Sequence, residues 1–175
     1  MKKLIYTTAI VAVLTGLYLP LPSVAEVKSS SESGFHLEIN QAIDTTPEVA
    51  YHHFVNDIAQ WWLSSHTWFG NSENLSIEAR AGGCFCELNG DQQAEHMMVS
   101  FVDPSHKIMF TGGLGPLKGM GLNGALTFEF RTQTVKVTYI ADGYPTTNMQ
   151  EFAPLVDNVL TEQMNSFSAY LNELY

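Results

Sequence analysis

Cys84 and Cys86 are the only cysteines in the chain, and Glu87, Glu95 and His96 lie close to them. Residues two apart on a strand share a face, so both sulfurs point to one side. Three readings of the pair compete. Packing as two small apolar thiols is the default. A disulfide needs Cα atoms closer than the roughly 6.6 Å an extended strand gives, and therefore a bulge. A soft-metal site would recruit His96 as third ligand. Strand register decides the metal version. A turn centred on Asn89 and Gly90 places Cys84 opposite Glu95 and turns His96 to the other face. A longer loop places His96 across from Cys86, on the same face. Glu87 and His96 also have the types needed for general acid–base catalysis. No nucleophile elbow, H-E-x-x-H or triad signature accompanies them. No cofactor is expected, and metal enters only through the alternative Cys84, Cys86, His96.

A second stretch invites a chemical reading. GMGLNG, residues 119–124, matches G-x-G-x-x-G letter for letter. A dinucleotide fingerprint requires a strand before it and a helix after it, so that the helix N-terminus meets the pyrophosphate. Here residues 125–131 alternate with period two and read as a strand. The glycines are better explained by tight turns and close backbone approach.

The elements that must position these groups follow from periodicity. Residues 35–39 alternate as a strand. Thr46 before Pro47 marks a helix start. Tyr51, Phe54, Val55, Ile58, Trp61 and Trp62 continue at helical spacing. Residues 64–74 form a polar and aromatic connector. Short strands are expected at 75–80, 84–88, 94–102 and 107–111. A hairpin then turns at Thr132 and Gln133. Val156, Leu160, Met164, Phe167, Leu171 and Leu174 form one apolar row of a long terminal helix, widened by Leu155, Val159 and Tyr170. Pro154 falls in its first turn or kinks it. Grouped strands and helices mean α+β, an antiparallel sheet with helices on one face.

Bulk properties narrow the partners. Lys2 and Lys3, an apolar run over 4–19 and Ser23-Val24-Ala25 read as a signal peptide over residues 1–25, cut before Glu26. The run is too short for a membrane anchor, so no stable membrane insertion is expected after cleavage. The product is expected to be periplasmic or secreted. The chain has 175 residues and a formal charge of −10, which becomes −12 without Lys2 and Lys3. Such a surface repels phosphate backbones, so nucleic acid is a poor partner. Residues 26–34, rich in serine, read as a flexible leader. Residues 35–175 then form one domain.

Several segments together resemble a known family. They are Thr45-Thr46-Pro47-Glu48-Val49, Trp61-Trp62, His66-Thr67-Trp68, Gly82-Gly83-Cys84-Phe85-Cys86-Glu87, Glu95-His96-Met97-Met98-Val99, Asp103-Pro104 and Gly113-Leu114-Gly115-Pro116-Leu117. The terminal helix through Asp157 and Gln163 completes the set. The chain resembles the SRPBCC superfamily, with its START-like helix-grip fold. Within it, the likeness is to the bacterial branch labelled polyketide cyclase or activator of heat-shock-protein-90 ATPase homologue. The resemblance implies a curved antiparallel sheet of about seven strands wrapped around the C-terminal helix. Two short N-terminal helices would cap an internal cavity. It also implies binding of a small hydrophobic or amphipathic molecule. The co-chaperone role in the label does not fit an exported chain.

Within such a cavity, the expected ligand contacts are Trp62, His66, Trp68, Glu87, His96, Met98, Met120 and Tyr144. Methionines adapt their shape to a ligand, and tryptophans supply apolar wall. Catalysis of cyclase or hydrolase type by Glu87 and His96 is the alternative. Spacing leaves open whether Asp157 and Gln163 face solvent or the cavity. It is also silent on oligomeric state.

Overall fold

The computed structural model describes residues 24–174, with side chains from Glu26 onward. The expected signal peptide lies outside the described residues, except for the backbone of Val24 and Ala25. These two pair with Asn40 and Ile39 in strand β1 (Val24–Ser30). The stretch expected to be a flexible leader is therefore largely strand. Glu26 faces Glu38 across the ladder, and Val27, opposite Leu37, packs against the core. Serine-rich composition masked it, because pairing with β2 (Gly34–Ala42) satisfies the backbone whatever the side chains.

The other strands are β3 (Leu75–Ile77), β4 (Cys84–Asn89), β5 (Gln92–Asp103), β6 (Lys107–Thr111), β7 (Leu122–Arg131) and β8 (Thr134–Gly143). All eight form one antiparallel sheet in the order β1-β2-β8-β7-β6-β5-β4-β3. The extra strand beyond the expected seven is β1. Consecutive strands pair except at one step, where the chain leaves β2 and re-enters at the far edge as β3. Helices α1 (Pro47–Asn56) and α2 (Ile58–Trp61) and the connector make that crossing. Thr46 caps α1 by accepting from Val49 N, with Pro47 in the first turn, as its sequence predicts.

Helix α4 (Met149–Leu174) lies on the inner face, with Met149, Ala153, Val156, Leu160, Met164, Phe167 and Leu171 buried. Its apolar row meets the alternating inner residues of the strands, among them Phe35, Leu37, Val137 and Tyr139. Phe54, Trp61, Phe128 and Phe167 fill the space at one end with ring centroids 4.5–5.6 Å apart. These rings close that end solidly. Any cavity must lie toward the start of α4.

GMGLNG proves to be the junction between helix α3 (Pro116–Gly119) and β7. A strand follows it, as expected. Gly121 has φ of 82°, a region that favours glycine. A Cβ on Gly124 would collide with the Ile140 carbonyl oxygen on β8. Among the described residues, no helix is long and apolar enough to cross a membrane.

Candidate functional site

A cavity of about 320 Å³ opens between the first half of α4, the connector, and the segment leading into α3. Phe152, Val156, Val159 and Leu160 supply the α4 wall, and Leu114 and Leu117 the opposite one. Trp62, His66, Trp68 and His96 line it, as the sequence suggests. Trp68 is 53% exposed, and Leu155 is exposed beside it, so the mouth is apolar.

Glu87, Met98, Met120 and Tyr144 are not on the wall. Met98 points to the outer face of β5, opposite Cys84. Met120 packs against the core beyond the end of α3. Tyr144 is 97% exposed past the end of β8, where no strand partner turns it inward. Alternation does not apply outside paired strand, so these loop-end side chains were not legible. The apolar α4 residues were visible as a stripe, but a stripe does not say which part faces a void.

Glu87 has no exposed surface. It sits on the inner face of β4, between Leu75 and Ala94. Its Oε1 accepts from Phe69 N at 2.7 Å, and Oε2 accepts from Trp68 N at 2.8 Å. His96 Nε2 donates to the same Oε2 at 3.0 Å. A carboxylate is expensive to bury unless donors replace its water. Three donors do so here, and they pin the connector to the sheet.

His96 is 3% exposed. It sits at a bulge. The ladder runs Cys86↔Glu95 and then Phe85↔Met97, so His96 is the extra residue. A bulge puts neighbouring residues on one side, and His96 and Met97 are both buried. The ring stacks on Phe85 at 4.8 Å and 21°. With Nε2 donating to Glu87, Nδ1 carries the lone pair, and this atom has no hydrogen-bond partner among the described residues. Burial pushes the His96 pKa below its ordinary value, although the hydrogen bond and charge of Glu87 act the other way.

The polar groups around it are tied together. Gln163, 1% exposed, accepts from Leu63 N at 2.9 Å and donates to His66 Nδ1. It thus faces inward and joins α4 to the connector. His66 Nε2 then carries the proton and lies 3.7 Å from Glu162. Trp62 Nε1 donates to His66 O at 3.1 Å. Tyr139 OH accepts from Leu114 N at 3.0 Å, and burial pushes its pKa up to about 12. Lys118 on α3 pairs with Glu95 on β5 outside the rim. Asp157 is half-buried away from the wall, and burial raises its pKa.

The cysteines are disulfide-bonded, with Cα atoms 5.3 Å apart. This corrects the expectation that they pack as thiols. Their strand meets a register shift between Phe85 and Cys86, with the extra residue on β5. The metal alternative also falls. The sulfurs are spent on each other, and Cys84 and Cys86 occupy the face opposite buried Phe85 and Glu87, away from His96. No group of three or more potential metal ligands occurs among the described residues. The turn itself is Gly90 and Asp91, with Asn89 opposite Gln92, one residue on from the expected centre.

No family model matches the sequence, and no curated protein does. Solved structures do. A protein from Rhizobium leguminosarum superposes with a TM-score of 0.57 and 14% identity, over 87% of this chain and 99% of its own. The Aha1 dimer structure from Colwellia psychrerythraea gives 0.53 and 14%, over 78% of this chain and 95% of its own. CalU16 from Micromonospora echinospora gives 0.53 and 12%, over 85% and 83%. These likenesses, with one eight-stranded antiparallel sheet closed over a long terminal helix, identify the fold: the chain has the helix-grip fold of these structures.

Proposed function

We propose that the protein holds a small hydrophobic or amphipathic molecule in the cavity between α4 and the sheet, in an exported compartment. The observation that carries this is the cavity itself, about 320 Å³ walled mostly by aliphatic and aromatic side chains. Each Å² of ligand apolar surface removed from water would contribute about 25 cal/mol. The exposed Trp68 and Leu155 at the mouth give such a molecule an apolar path inward.

The test is mass spectrometry of protein purified gently from its native compartment, beside Val159→Trp. Val159 is half-buried on the wall, so the larger ring fills the void without displacing core. A lipophile retained by wild type and missing from the folded variant supports the reading. Wild type that retains nothing and takes up no lipophilic dye overturns it.

A catalytic reading narrows to His96. Both Glu87 oxygens are taken by donors and lie behind the wall, so Glu87 serves as a positioning residue. His96 lines the cavity, and its Nδ1 is a basic atom without a hydrogen-bond partner among the described residues. Turnover lost in His96→Gln with binding retained would support this reading. Full turnover in that variant would remove it.

A further inference from the structure

We infer that the cavity selects neutral molecules carrying an O–H or N–H donor, and that Nδ1 of His96, on its wall, receives it. This rests on the proposed cavity-binding function and names the class of ligand.

Three observations converge. First, the His96 tautomer is set. Glu87 accepts the Nε2 proton, which leaves Nδ1 as a fixed acceptor. Stacking on Phe85 and the bulge between Cys86 and Phe85 hold the ring in place. Second, Nδ1 is buried without a partner among the described residues. A buried acceptor left unmade costs more than a made bond contributes. A ligand donor that reaches it therefore recovers that cost, whereas a ligand without one does not. Third, several donors near the wall are already spent. Leu63 N goes to Gln163, Trp68 N to Glu87, Leu114 N to Tyr139 and Trp62 Nε1 to His66 O. The cavity wall includes no lysine or arginine. A carboxylate or phosphate would lose its water and gain no cation, next to a protein of strongly negative charge. Neutral alcohols, phenols and amides fit; anions do not.

The test uses three two-ring probes of one shape: 2-naphthol, 2-methoxynaphthalene and 2-naphthoate. Each is titrated by calorimetry into the mature protein and into His96→Phe at neutral pH. The expected result is 2-naphthol about tenfold tighter than its methyl ether in wild type, with 2-naphthoate weakest. In His96→Phe the tenfold preference of naphthol over its ether should vanish. Nitrogen-15 NMR of histidine-labelled wild type gives a reading that needs no variant. The Nδ1 resonance of His96 should move on adding 2-naphthol and stay in place with the ether. Equal affinity of naphthol and ether in wild type, or 2-naphthoate binding tightest, overturns the inference and leaves cavity binding standing. Should none of the three bind and no lipophile be retained, the cavity reading falls and takes the inference with it.

Discussion

Nε2 of His96 lies 3.0 Å from Oε2 of Glu87, and neither residue has more than 3% of its surface exposed. Two polar side chains on neighbouring strands thus satisfy each other inside an apolar wall. The bond joins the connector, through Glu87, to the cavity, through His96.

Removing the carboxylate should be costly. Glu87→Ala leaves Trp68 N, Phe69 N and His96 Nε2 without their acceptor. The expected loss is about 3 kcal/mol of stability, read from urea denaturation. Glu87→Gln keeps the shape but offers one acceptor oxygen for three donors, and should lose about 2 kcal/mol. A change below about 0.5 kcal/mol in Glu87→Ala would mean that the connector is held in another way.

The pH dependence has a definite sign. The His96 pKa is lowered in the folded state from 6.5, chiefly by burial. Below 6.5 the unfolded chain binds a proton that the folded chain refuses. Stability is therefore full above that pH and falls as pH drops toward the folded value. Glu87 faces the ring directly, and His66 shares the cavity wall. His96→Phe should flatten the slope of stability on the acid side of pH 6.5. An unchanged slope would assign it to another group.

Disulfide closure across two positions removes little chain entropy, so its stabilising effect should be small. Reduction should lower the denaturation midpoint only slightly. Its larger effect should be on ligand affinity, because the bulge that seats His96 lies between Phe85 and Cys86. Alkylation mass spectrometry checks the pairing: thiols should be labelled only after a reductant is added. Labelling of untreated protein would refute the bond.

Gly124→Ala should be disproportionately harmful. The added methyl would meet Ile140 O and the backbone of Ala141, neither of which can yield without disturbing the β7–β8 ladder. A loss of about 2–3 kcal/mol is expected by thermal unfolding, far above a typical exposed Gly→Ala change. Gly119→Ala is the control, since nothing lies within 4 Å of its added carbon.

Local chemistry made much of the fold legible. Thr46 and Pro47 announced α1, the Thr132 and Gln133 turn announced the β7–β8 hairpin, and the four-three apolar spacing announced α4. These signals depend on residues near one another in the chain, which is why they can be read from it. Strand β1 escaped because its order comes from backbone pairing with a partner, and serine-rich composition carries no trace of that. The site divided in the same way. Trp62, His66, Trp68 and His96 could be nominated by type and by their neighbourhood. Whether His96 shared a face with Glu87 or with the cysteines depended on how β5 pairs with β4, since one residue of register turns every side chain over. The same register keeps His96 on the face away from Cys84 and Cys86. Sequence determined the elements and the inventory of groups; tertiary pairing alone decided which of those groups meet, because contact between strands is set by register and not by proximity in the chain.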